Sequence, residues 1–93
     1  MGNGEFVVAA FRSRQQVMQF IRLMEERGAK ARIINTPHEI LIGCGLSAAF
    51  DREYAGMAKS IVEAVRPPAF VGFYMAQYLG ARLVIKPYIK INA

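Results

Sequence analysis

The chain has 93 residues, 54% of them hydrophobic, a formal net charge of +5 and one cysteine. That length makes one domain with a modest core. One cysteine excludes an internal disulfide and a cysteine-rich zinc site, and no run approaches the ~20 apolar residues of a transmembrane helix.

The start, MGNGEFVVAAF, has no basic segment before its apolar stretch, so it does not read as a signal peptide. Phe6 stands where a myristoylation signal needs Ser or Thr. The expected compartment is a reducing cytoplasm. Nine basic and seven acidic side chains precede Leu79, and Arg82, Lys86 and Lys90 follow it. A mixed surface with a basic tail argues for solubility and against nucleic acid.

Glu5–Phe11 (EFVVAAF) is apolar on both faces and reads as a central strand. Ser13 caps a helix, with Gln16 completing a capping box. Val17, Phe20, Ile21 and Met24 form its buried stripe, and Gly28 ends it. Lys30–Asn35 reads as a half-exposed strand in which Ala31 and Ile33 alternate with Lys30 and Arg32. Asn35-Thr36-Pro37 is turn chemistry, and Leu46–Phe50 is a third strand.

Asp51 is the expected cap of a second helix, with Tyr54, Met57, Ala58, Ile61, Val62 and Val65 on its apolar stripe and Pro67-Pro68 ending it. Ala69–Ala76 reads as a fourth strand. The stretch RLVIKPYIKIN suits one more extended segment, which Pro87 confines to an edge or a bulge.

This order predicts an α+β fold of the ferredoxin-like split βαβ (βαββαβ) type: an antiparallel sheet with two helices on one face. The core spans residues 5–76, and a basic extended tail spans 79–93. Right-handed crossovers put the first and third strands in the centre. Helices cover one face only. Strict alternation sets Phe6, Val8 and Ala10 against Val7, Ala9 and Phe11, and Phe70 and Tyr74 against Val71, Phe73 and Met75. The uncovered set makes a large apolar patch, so a second copy of the chain or the tail is expected to cover it.

The segment PHEILIGCGLSAAF holds the lone cysteine, Cys44, between Gly43 and Gly45, with the lone histidine, His38, six positions earlier. Two readings stand. If the strand runs back unbroken, Cys44 shares a face with Leu46, Ala48 and Phe50 and fills the core. If Gly43 and Gly45 turn the backbone, the sulfur is open to a partner.

Phe11-Arg12-Ser13, Thr36-Pro37-His38-Glu39-Ile40 and Cys44-Gly45-Leu46-Ser47-Ala48-Ala49-Phe50 together resemble the selenium/sulfur carrier family of small domains. The resemblance covers about Phe6 to Met75. It departs at His38, where arginine is more usual, and at the apolar Leu41-Ile42-Gly43. It implies a carrier that holds sulfur or selenium on Cys44 as a persulfide or selenosulfide, exchanged with donor and acceptor proteins. The nucleophile is the thiolate. His38 and Arg12 are candidate helpers, as cations or, for His38, as a proton acceptor. Pro37, Gly43 and Gly45 are the candidate loop-shaping residues.

The alternative is a non-catalytic dimeric binding or regulatory module in which Cys44 is structural. The chain shows no paired carboxylates, metal-ligand cluster or phosphate loop, so a stand-alone enzyme has the least support and no cofactor is implied.

Overall fold

A computed structural model describes residues 4–40 and 45–88. In chain order the elements are β1 (Glu5–Phe11), α1 (Arg14–Glu26), β2 (Ala31–Asn35), β3 (Leu46–Phe50), a 3-10 turn (Arg52–Tyr54), α2 (Ala55–Val65), β4 (Phe70–Leu79) and β5 (Arg82–Pro87). The strands form one antiparallel sheet in the order β2-β3-β1-β4-β5. β1 lies in the middle, as its two apolar faces require. β5 is an edge strand, where Pro87 lacks an N–H that no neighbour needs.

Ser13 caps α1 through its hydroxyl, which accepts the Gln16 backbone N–H at 3.3 Å. The capping box is not closed from the other side. Gln16 Oε1 instead accepts the backbone N–H of Ala69 at 2.9 Å, and Arg12 N–H donates to Ala69 O at 2.7 Å. The residue before β4 needs a backbone partner, and Gln16 is the one within reach. Val17, Phe20 and Met24 are buried as expected, and Gly28 follows the helix with φ +87°.

Asp51 does not cap α2. It precedes the 3-10 turn and makes no side-chain cap bond, and Tyr54 stands at the helix entry. Val65, expected on the buried stripe, is 52% exposed because it sits on the last turn, at the rim of the helix layer. The helix ends at Arg66, the one non-glycine described residue at positive φ (+50°). A side chain there is strained, whereas glycine is not. Arg66→Gly is therefore expected to raise stability by about 0.5–1 kcal/mol, read as a higher urea midpoint. An unchanged or lower midpoint would contradict this.

The core has two layers. On the helix side, Val7, Ala9 and Phe11 of β1 pack with Ala48, Phe50 and Phe73, under Val17, Phe20 and Met24 of α1 and Ala55, Ala58 and Ile61 of α2. On the other side, Phe6, Val8, Ala10, Ala49 and Ala76 form a second cluster with Ile40. The alternation expected for β4 fails at one point. Ala10 pairs with Gly72 and Phe11 with Phe70, so Val71 is an extra residue in a bulge. Phe70 thereby joins Phe73 on the helix side, and Val71 joins Tyr74 on the open side.

In β2, Ile33 is 44% exposed on this outermost strand, while Ile34 packs onto the open face. That face is not left bare. Ile40, from the β2–β3 connection, is 4% exposed and packs among the β1 side chains. The described part of the tail does not lie over the sheet; it extends it as β5, with Leu83 and Ile85 adding to the same cluster.

Candidate functional site

β2 ends at Asn35 and β3 begins at Leu46, so the motif-bearing connection leaves and re-enters the sheet at neighbouring points. Its two ends are fastened together. Thr36 N–H donates to Gly45 O at 2.9 Å, which carries the β2–β3 ladder one step further. The Thr36 and Ser47 hydroxyls hydrogen-bond at 2.7 Å. Ser47 is fully buried, so its hydroxyl cannot exchange this partner for bulk water. Pro37–Ile40 forms a turn, with Ile40 N–H donating to Pro37 O at 2.9 Å.

Cys44 and Gly43 lie outside the described residues, with Leu41 and Ile42. The ground on either side of these four positions is fixed, by burial at Ile40 and by the backbone bond at Gly45. Gly45 is exposed and its φ lies outside the left-handed region. A Cβ built there would meet nothing within 4 Å. Its backbone therefore does not require glycine, and the property it offers next to Cys44 is lack of bulk.

Pro37 is half-buried and His38 is exposed. Both line a groove of about 430 Å³ on the open face, together with Arg32, Ile34, Phe6 and Tyr78. Arg12 is exposed and does not line this groove. It leaves β1 at the sheet end where β3 begins, since the β1–β3 register closes at Ala10↔Ser47. His38 and Arg12 thus belong to one end of the sheet by connectivity, and of the two only His38 lines the groove. Among the described residues, no three His, Cys, Asp or Glu side chains cluster as a metal site.

The Thr36–Ser47 pair, the seat of Ile40 and the presence of Arg32 in the groove are absent from the sequence reading. One hint lay in the sequence: Thr36 and Ser47 occupy the two motif halves that define the resemblance, and both carry hydroxyls.

Together these features define a small α+β domain with a tethered loop at one sheet end. Residues 6–67, about two thirds of the chain, match the model of the family described as "Putative Se/S carrier protein-like". The chain belongs to that family. No curated protein and no solved structure matches it. The matched span runs from β1 through α2 and includes both motif halves, while β4 and β5 lie beyond it.

Proposed function

We propose that the protein carries sulfur or selenium on Cys44, as a persulfide or selenosulfide. The observation behind this reading is the family match, which spans both the Thr36–Ile40 segment and the Cys44–Phe50 segment. The fastening of Thr36 to Gly45 and Ser47 supports it, because a transfer cysteine benefits from a neighbour held in place. In the loading step the Cys44 thiolate attacks the terminal sulfur of a donor persulfide. A bond forms between the two sulfurs, the donor's S–S bond breaks, and the donor leaves as a thiolate with the electron pair. Delivery to an acceptor thiolate is the same exchange in reverse, with no net oxidation. His38, on the segment that leads to Cys44, and Arg12, at the same end of the sheet, are the cations that would favour the thiolate if they approach it.

The strand order supports the ferredoxin-like arrangement with β5 added beside β4. Partner proteins in a reducing cytoplasm, and pairing of two copies, remain part of the same reading.

The test is intact mass after incubation with an active persulfide donor. The wild-type chain should gain the mass of one sulfur atom, reversibly by thiol reductant, and Cys44→Ser should gain none. A wild-type chain that gains no sulfur, or a variant that gains as much, would overturn the carrier reading. A binding module with a structural cysteine is the second reading, and the groove over Phe6 favours it. That reading expects ligand binding to survive Cys44→Ser.

A further inference from the structure

The groove on the open face has an uneven charge. Arg32 stands on edge strand β2, and its guanidinium carbon lies 5.1 Å from the centroid of the Phe6 ring. Phe6 is only 8% exposed, so the platform under the guanidinium is held by the core. A cation–π contact of this kind consumes none of the guanidinium N–H donors, which stay available to an anion.

No carboxylate among the described residues pairs with Arg32. The one ion pair among them joins Arg52 to Glu5 at 3.4 Å. Glu5 and Asp51 line an adjoining depression that shares Phe6, Arg32 and Tyr78 with the groove. The groove with His38 has no acidic residue among its described lining. There the walls are Ile34, Leu83 and Tyr78, and Tyr78 is 54% exposed. A volume of about 430 Å³ falls within the usual range for small-molecule clefts, roughly 300–1,000 Å³.

We propose that this groove binds a small organic anion, a carboxylate or phosphate monoester with a flat apolar body. Arg32 grips the anionic end in a bidentate manner. His38 adds a second donor, and the apolar body lies against Phe6, Tyr78 and Leu83. The proposal stands whether or not Cys44 carries sulfur, because sulfur loading does not enter its test.

The test is an amide NMR titration of the full chain with phenyl phosphate and benzoate, with benzamide and inorganic phosphate as probes of each half of the ligand. Phenyl phosphate should give saturable shifts at Phe6, Ile34, His38 and Tyr78. Benzamide, which keeps the ring and loses the charge, should bind at least tenfold more weakly than benzoate, as should inorganic phosphate relative to phenyl phosphate. Arg32→Gln should weaken phenyl phosphate at least about tenfold, the loss expected of a charge-assisted bidentate contact. Arg27→Gln, an exposed cation at the end of α1, should not. The free Arg32→Gln spectrum, overlaid on wild type, checks that the fold is kept. No saturable binding, shifts confined to other surfaces, equal binding of benzamide and benzoate, or an Arg32→Gln variant that binds normally would each overturn the proposal.

Discussion

Phe50→Ala is expected to cost about 3–5 kcal/mol, the range for emptying a buried aromatic site. Phe50 is fully buried near the centre of the helix-side core. It pairs across strands with Val7 on one side and Ala31 on the other. Its ring lies 6.1 Å from Phe20 and 6.4 Å from Phe73, the latter edge-on. Val7, Phe20 and Phe73 beside it are themselves buried and held by their own packing, so most of the cavity should persist. A domain of this size holds only about 5–14 kcal/mol in total. The variant should therefore unfold at a much lower urea concentration, with a fraction unfolded already in buffer. A loss under about 1 kcal/mol would show that Phe50 is not packed as described. Phe70→Ala is the internal comparison. Phe70 is half-buried, so it should cost clearly less.

The second large effect is expected at the loop fastening. Thr36→Val keeps the shape of the side chain but removes the hydroxyl that partners Ser47. It leaves a buried Ser47 hydroxyl without a partner, at a cost of about 1–3 kcal/mol. Ser47→Ala leaves only the half-buried Thr36 hydroxyl, which water can reach, and should cost less. The double variant should be little worse than Thr36→Val alone, and it could be better, because no buried polar group is then stranded. Urea midpoints of the four proteins give the coupling between the two hydroxyls, expected at about 0.5–3 kcal/mol. Simple additivity would show that the bond does not fasten the loop.

Much of this architecture is legible in the chain. The bounds of β1 and β3 follow from apolar runs between polar or glycine punctuation, and α1 follows from Ser13, its apolar stripe and Gly28. What escapes is whatever depends on residues far apart in sequence. Gln16 has the right spacing for a local capping box, yet a backbone N–H 53 residues away takes its side chain. The bulge at Val71 is set by the pairing of β4 with β1; its one local mark in AFVGFYMA is the neighbouring Gly72, which signals an irregularity without fixing which residue is extra. The candidate site divides along the same line. The two motif halves are visible as sequence, and their joining by Thr36 and Ser47 is a tertiary contact. Arg32 reads as the polar side of a half-exposed strand until Phe6, from another strand, is seen beneath it.

The place of β1 in the sheet has a consequence for synthesis on the ribosome. This strand is synthesised well before either of its partners: β3 ends at Phe50, and β4 starts at Phe70. Until then EFVVAAF is a short apolar segment of high strand propensity with no neighbour, the type of stretch that pairs with copies of itself. Glu5 and Arg12 bracket it, and charges at the ends of such segments discourage stacking between nascent chains. Neutralising both should lower soluble yield while leaving the folded domain's urea midpoint nearly unchanged.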